Sequence, residues 1–359
     1  MNYRWAELLD AETISGATTK TIDLDYLDCL SRIDIRLHRT KSAEGMNAPG
    51  PADITKIEIV DGADAIVSLN GYEAQALMIY DRKIPTATYG QRSSGSSMVD
   101  FFGIDFGRKL WDPALAFDPS KFTNPQLKIT YDVDVSDTGV TSATLEVYGS
   151  LFHARKASPV GMLAPIQHWT NTLGADGTWS NIELPTDRLI RRMLVRCRYQ
   201  GYEPWYVADE LRLTEDSGKN DVFYWDAETL YRLMHTTYPP IEEFIEGIAS
   251  TAGTTYYAAC SDYWGVPLVI SQSASYHFMD GVQSRGGTIV LDGAGNSQFV
   301  GVIRGYLPWS TYDFPFGDLE DMDDWYDLSG KGKVEMRIKS HTAGTSGTGA
   351  IILQKLRRY

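Results

Sequence analysis

Cysteine is nearly absent. The 359-residue chain has three, Cys29, Cys197 and Cys260, odd in number and far apart. They form neither a disulfide framework nor paired zinc-ligand spacing, and they read as buried reduced thiols. Positive charge is scarce as well. The formal net charge is −14, which argues against a protein built to grip a phosphate backbone, so no sequence-specific nucleic-acid binding is expected. No N-x-S/T sequon occurs, and no run of 18 apolar residues would let a helix cross a bilayer. The opening stretch MNYRWAELLDAETISGA does not read as a signal peptide, because Glu7, Asp10 and Glu12 interrupt any apolar region.

Catalytic signatures are missing too. There is no H-E-x-x-H, no G-x-x-x-x-G-K-[ST] and no G-x-S-x-G. GKGK (330–333) lacks the loop glycine of a phosphate-binding loop. DGAGNSQ (292–298) carries Gln298 where a dinucleotide turn needs its third glycine, and it reads as a hairpin turn between TIVL and FVGVI. The six histidines, His38, His153, His168, His235, His277 and His341, are dispersed, and no two stand at ligand spacing. No enzyme activity and no cofactor are expected.

What is present is β pattern and aromatic content. Aromatics make up 12% of the chain, with 21 Tyr and 9 Trp, beside 32 Gly, 43% hydrophobic and 22% charged residues. That balance suits pleated, half-buried surfaces joined by tight turns. Residues 4–12 read as a short helix, with Trp5, Leu8 and Leu9 on one face. From about Lys20 the period becomes two: Ile33, Ile35 and Leu37 alternate with Arg32, Asp34 and Arg36. NAPGPAD (47–53) is a turn, ITKIEIV (54–60) and AIVSL (65–69) are strands, and YEAQALMIYDRK (72–83) is a helix without a clean apolar stripe. After the Gly/Ser loop 90–98 come strand candidates at 97–107, 126–135 and 143–152. Residues 154–178, rich in Pro and Gly, read as the boundary.

The second half repeats the first. IDLDYLDCLSRIDIRL (22–37) aligns without a gap on IELPTDRLIRRMLVRC (182–197), 160 residues later. Apolar positions fall on apolar positions, Arg32 on Arg192 and Arg36 on Arg196. ELRLT (210–214) and DVFYW (221–225) answer KIEIV and AIVSL. AETLYRLMHTTYP (227–239) lies where the first helix lay, with Leu233-Met234 answering Leu77-Met78 at an offset of 156. KVEMRIK (333–339) and GAIILQKLRR (349–358) close the pattern at an offset of about 207, so roughly 50 extra residues lie within 240–330. The order predicts a duplicated β-sandwich, apolar side chains inward and arginines outward. The alternative is two unrelated β domains that share generic alternation. The expected organisation is an N-terminal helical segment (1–18), a first sandwich (19–160), a linker (161–178) and a second sandwich (179–359) with a long loop insertion within about 240–330.

Two stretches invite a site reading. GDLEDMDDWYD (317–327) offers Asp318, Glu320, Asp321, Asp323 and Asp324 as calcium ligands, against the simpler reading of a solvated acidic loop. Asp321 and Asp324, beside Trp325 and Tyr326, also suggest paired carboxylates of a polysaccharide-degrading enzyme. Arg4, Trp5, Leu8 and Leu9 form the N-terminal apolar face, which docks either on protein or on a membrane surface.

IVSLNGYEAQALMIYD, FGRKLWDPALAFDPSKFTNPQLKITYDVDV and SATLEVYGSLF, with DVFYWDAETLYRLM, KVEMRIKS and GAIILQKLRR in the second half, resemble the double jelly-roll major capsid proteins of tailless icosahedral viruses. The resemblance covers most of 20–359 and rests on the order and style of the elements. It implies a mainly β fold of two tandem eight-stranded jelly rolls with short helices. It further implies a homotrimer of pseudo-hexagonal outline that tiles an icosahedral shell of a virion assembled inside the host cell. Penton and minor capsid proteins would be partners, and internal-membrane lipids would meet the N-terminal segment and Lys355, Arg357 and Arg358. Asp28, Asp34, Arg188 and Arg192, where the two halves differ or repeat on the surface, are the subunit-contact candidates. The competing reading from the aromatic content and the insertion is a carbohydrate-binding sandwich.

Overall fold

The computed structural model describes residues 3–42, 45–90, 94–137, 140, 142–153, 157–249, 254–270, 278–280, 286–292 and 297–359. In the first half the strands are β1 (Tyr3–Ile14), β2 (Ala17–Asp23), β3 (Leu30–Thr40), β4 (Ile54–Asp61), β5 (Asp64–Leu69), β6 (Thr88–Gly90), β7 (Ser97–Asp105), β8 (Pro125–Asp132) and β9 (Ser142–Phe152). Helix α1 (Gly71–Arg82) follows β5. The second half runs β10 (Gly161–Thr172), β11 (Trp179–Glu183), β12 (Ile190–Arg198), α2 (Pro204–Val207), β13 (Ala208–Glu215), β14 (Asn220–Asp226) and α3 (Ala227–Thr237). An insertion then contributes β15 (Ile241–Ala249), β16 (Thr254–Tyr257), β17 (Ser261–Ile270), β18 (Phe278–Asp280), β19 (Thr288–Asp292) and β20 (Ser297–Tyr306). The closing strands are β21 (Thr311–Pro315), β22 (Glu335–Ser340) and β23 (Thr348–Arg358).

Each half is a jelly roll. The first packs the sheet β1-β9-β3-β7, extended by β6, against β2-β8-β4-β5; the second packs β10-β23-β12-β21 against β11-β22-β13-β14. The repeat holds to the level of single hydrogen bonds. Leu30 and Phe117 exchange both backbone bonds at 2.8 Å, and Ile190 and Tyr326 do the same at 3.0 and 3.1 Å. Leu24 N donates to Pro125 O, and Leu184 N to Val334 O. Ile22 sits opposite Leu127, and Ile182 opposite Met336, so the offset of 160 becomes 209 by the closing strands. A β-bulge falls between Leu30 and Arg32 in one copy and between Ile190 and Arg192 in the other.

Ile33, Ile35, Leu37, Phe102, Ile104 and Leu145 fill the first core, and Met193, Val195, Cys197, Tyr312, Met336 and Ile338 the second. Leu194, Ala350 and Ile352, on the opposite face of β12 and β23, join the first cluster. The second lobe's sheet is therefore covered on both faces, inside by its own core and outside by the first lobe. A parallel contact of β5 with β10, Ser68 beside Ile166, fuses the two neighbouring sheets into one of eight strands.

Several expectations are corrected. Residues 4–12 are not helical but belong to β1, paired with β9. Register shifts between Glu7 and Leu9 and between Leu9 and Glu12 break the two-residue period and bring Leu8 and Leu9, adjacent in sequence, both against the core; that spacing imitates a helix. The expected linker 161–178 contains β10, which pairs along β23 with a bulge between Gln167 and Trp169. The insertion is not a long loop but two three-stranded sheets, β15-β20-β17 and β16-β19-β18. The strands β19 and β20 belong to different ones, so they are not a hairpin; residues 293–296 between them lie outside the described residues.

Cys29, Cys197 and Cys260 form no disulfide and are buried, and burial pushes the Cys197 thiol up to about 12. All three should resist an aromatic disulfide reagent in the native protein at pH 8 and react in full on unfolding in denaturant, as a thiol titration will count.

Candidate assembly interface

α1 closes the junction between the lobes. Asn70 Oδ1 accepts Glu73 N and Glu73 Oε2 accepts Asn70 N, both at 3.1 Å, a capping box that fixes where the helix starts. Lys83, with φ of 52°, ends it. Ala74, Leu77, Met78, Ile79 and Tyr80 are all buried, which explains the missing stripe: a helix covered all round needs no polar side. The first lobe takes Ala74, Leu77 and Tyr80, while Met78 and Ile79 pack with Ile241, Ile245, Ile303 and Trp309 of the insertion and its flank.

Toward the second lobe α1 presents polar groups. Asp81, its side chain 6% exposed, accepts from Arg191 Nη1 at 2.7 Å and Gln354 Nε2 at 2.8 Å, with Arg192 Nη2 at 3.4 Å. The β-bulge turns these successive arginines to one side of β12. Burial pushes the Asp81 carboxyl up, but Arg192 and Arg191 outweigh it and hold it below the usual carboxylate range. Arg192 also donates to Asp313 at 3.0 Å, and Asp313 accepts the Tyr238 hydroxyl. There burial prevails over Arg192, and the carboxyl is raised. Tyr80 donates to Thr311 O at 2.6 Å, and Glu73 accepts from Gln167 at 2.6 Å with Arg196 at 3.4 Å. Arg82 ties the helix back to the first lobe through Asp34 at 2.5 Å and Asp105 at 2.8 Å.

This junction has an unfilled counterpart. α3 occupies in the second lobe the place of α1 in the first, capped by Asp226, which accepts Thr229 N at 2.8 Å. Leu77 is 3% exposed, whereas Leu233, its counterpart, is 39% exposed. Thr236 and Thr237 stand where α1 has Tyr80 and Asp81. Beside α3, Val222, Tyr224 and Trp225 of β14 are exposed. On the far side of the first lobe, the outer face of β1-β9-β3 holds an open cleft of about 640 Å³ lined by Trp5, Glu7, Asp34, Phe101 and Tyr148. Trp5 is 72% exposed.

The expected contact residues divide. Arg192 is not a surface arginine: it is 2% exposed, because α1 covers the face to which the alternation assigns it, and Arg196 at 6% is buried for the same reason. Asp34 borders the open cleft, already paired with Arg82. Asp28 pairs with Arg4 at 3.3 Å and Arg188 with Asp187 at 3.3 Å. Lys355 is not free for lipid phosphate; it is 8% exposed and lies 3.4 Å from Asp187, while Arg357 pairs with Asp64 at 2.7 Å. Arg358 lines a cavity with Asp187, Arg188, Asp323 and Asp327. Leu8 and Leu9 pack on the first core.

The acidic stretch 317–327 is the second lobe's counterpart of the loop 107–118. Its carboxylates cap its own backbone: Asp318 accepts Glu320 N at 2.9 Å, Asp321 accepts Asp323 N at 3.0 Å, and Asp324 accepts Asp318 N at 2.6 Å. Asp318, Glu320, Asp321, Asp323 and Asp324 do not gather as a ligand set; no group of three metal-binding side chains occurs among the described residues. The two loops touch, Arg108 donating to Glu320 O at 2.5 Å. Sequence reasoning missed Asp81, Gln354 and Leu233. The one signal for them is the Leu-Met pair at the 156-residue offset, set in two helices of unlike polarity.

No family model matches the sequence, and no curated protein matches it. Solved structures do match in fold. The STIV major capsid protein aligns over 99% of this chain and 97% of its own, at 12% identity and a TM-score of 0.59. The major capsid protein of bacteriophage PM2 aligns over 99% and 98%, at 10% identity and 0.56. A chain of the PBCV-1 virus capsid aligns over 99% and 94%, at 11% identity and 0.57. The fold is that of the double jelly-roll major capsid proteins.

Replacing Asp81 by Asn leaves Arg191 desolvated without a counter-charge and Arg192 with Asp313 alone, at a cost of about 3 kcal/mol at pH 7. The native carboxyl is held low, so its contribution is present above the ordinary carboxylate range and is lost as pH falls through the native value. Urea unfolding of both proteins should therefore show the gap at pH 7 and its narrowing in acid.

Proposed function

We propose that the chain is the major capsid protein of an icosahedral virus, acting as a homotrimer whose six lobes tile a pseudo-hexagonal lattice in the virion shell. One observation carries this reading: the junction that α1 fills within the chain recurs as two open surfaces, the α3–β14 face of the second lobe and the Trp5 cleft of the first. A surface that meets a different surface repeats head to tail until rotation closes the ring. Two lobes per chain make three subunits a six-lobed ring. The α3–β14 face then covers the outer side of β1-β9-β3 in the next subunit, as α1 covers β23 and β12 within its own.

The chain ends lie together, away from the insertion. Tyr3 packs on Trp111, 4.6 Å between rings, and the Tyr359 hydroxyl donates to Ala116 O at 2.7 Å. We assign this end to the inside of the shell, where minor capsid proteins or membrane lipids lie, and the insertion to the outside. The base offers a lipid surface little free positive charge, since Lys355 and Arg357 are already answered by carboxylates. Its partners on this reading are chiefly proteins.

Light scattering on the purified chain should give three times the 40.1 kDa chain mass, and electron microscopy should show particles of pseudo-hexagonal outline. Leu233→Asp and Trp5→Asp, on opposite sides of the proposed contact, should each yield monomers with unchanged far-ultraviolet circular dichroism. A wild-type chain that stays monomeric at micromolar concentration overturns the reading.

A further inference from the structure

At the insertion end of the lobe junction, β12 delivers Arg196 and Arg198 to one side. Both guanidinium groups lie against Tyr72, at 5.4 and 4.6 Å from the ring centroid. Arg196 is answered by Glu73 Oε1 at 3.4 Å and Asn70 Oδ1 at 3.3 Å, although its buried Nε has no partner. Among the described residues no carboxylate reaches Arg198 and no hydrogen bond is made to its guanidinium; its neighbours are the Tyr72 face and Tyr257. Burial, and then the neighbouring Arg196, lower its pKa. That is the signature of a cation without a counter-charge. Among the described residues this place holds two arginines against one carboxylate.

Both arginines open onto a cavity of about 330 Å³, completed by Thr55, Asn70, Tyr72 and Thr348. Two cations, the Thr348 hydroxyl and an aromatic wall that orients the guanidinium planes suit a compact ligand with several acceptor oxygens, while the Thr55 hydroxyl already donates to Thr130 O at 3.1 Å. The geometry points to an oxyanion site between the lobes, in which Arg198 and Arg196 hold a phosphate group, free or as the end of a small phosphate ester. The cavity borders both lobes, with Thr55 and Tyr72 from the first and Arg196, Arg198 and Thr348 from the second. An anion there fastens the junction at the end opposite the chain termini.

The test is thermal unfolding and titration calorimetry on the full chain at constant ionic strength, with inorganic phosphate or a nucleoside monophosphate replacing chloride. The melting temperature of the wild type should rise with phosphate. Arg198→Gln should bind about tenfold more weakly or not at all, and in chloride it should melt close to wild type, because among the described residues the cation it removes meets no carboxylate and loses only the Tyr72 face. Tyr72→Phe, which keeps the ring, should retain the response. A larger response to the ester than to the free ion identifies the ester as the ligand; an equal response identifies the ion. The proposal fails if neither moves the wild-type melting temperature, or if Arg198→Gln responds as wild type does. It fails equally if Arg198→Gln is destabilised in chloride and phosphate does nothing, since Arg198 is then only a packing group over Tyr72. Should that variant not fold, Thr348→Val must weaken phosphate binding for the site to stand. Light scattering on the same samples reports assembly separately.

Discussion

The arrangement of the two lobes hangs on Asp81. A carboxylate taken out of water costs several kcal/mol unless its partners are charged and well placed. Here Arg191, Arg192 and Gln354 supply them, and all three come from the other lobe. That condition is met in one docking position only. A shift of α1 along β12 by a single residue pair would strand Asp81 and Arg191 in a low-dielectric seam and leave Arg192 with Asp313 alone. The apolar cluster that Leu77 and Tyr80 share with Leu194 and Ile352 supplies attraction without direction; Asp81 supplies the register. The insertion inherits this placement, because Met78 and Ile79 on the same helix form the floor on which Ile241, Ile303 and Trp309 pack.

The bulge at Ser31 and Arg191 shows how a duplicated feature acquires two uses. In both lobes it turns successive side chains of the third strand to one side. In the first lobe these are Ser31, whose hydroxyl accepts Trp111 N at 2.8 Å, and Arg32, paired with Asp105 at the outer face. In the second they are the two arginines that clasp Asp81. The core positions inside stay apolar in both copies, Ile33 and Ile35 against Met193 and Val195. At these positions the change of chemistry falls on the outer face.

How much of this was legible follows from the range of each interaction. Strands such as β3, β4, β8 and β9 announce themselves because one face is buried and the other wet, so their period is local and visible. The duplication is legible for the same reason. β1 was not, since two bulges erase its alternation. β10 was not, because Gly161–Pro165 is buried on both faces and so carries no alternation to detect. Arg192 and Arg196 read as surface residues by the rule that serves Arg32 and Arg36 correctly. What defeats the rule is a helix about 110 residues earlier in the chain, and no window around Arg192 contains it. The acidic stretch misled in the opposite direction. Asp318, Asp321 and Asp324 are spaced to cap the turns of their own loop, a local task that imitates a cation site in composition.

Fusion of the two lobes into one chain has a physical consequence for assembly. In a ring of six identical lobes every junction would carry the same chemistry, either a desolvated acid at all six or none. A duplicated chain escapes that constraint. The junction inside the chain forms during folding, at the high effective concentration that a short connection provides, and it can hold a charge whose burial demands exact partners. In the proposed trimer the junction between chains has to form from separate molecules in solution. α3 carries Thr236 and Thr237 where α1 has Tyr80 and Asp81, and in that proposed contact it would meet its neighbour through Leu233 and the aromatic edge of β14. Apolar contact tolerates small misalignment and incurs no penalty for an unpaired charge when a subunit arrives or leaves. On the proposed assembly, the difference between the two helices is the difference between a contact made once and a contact that must be reversible while a lattice corrects itself.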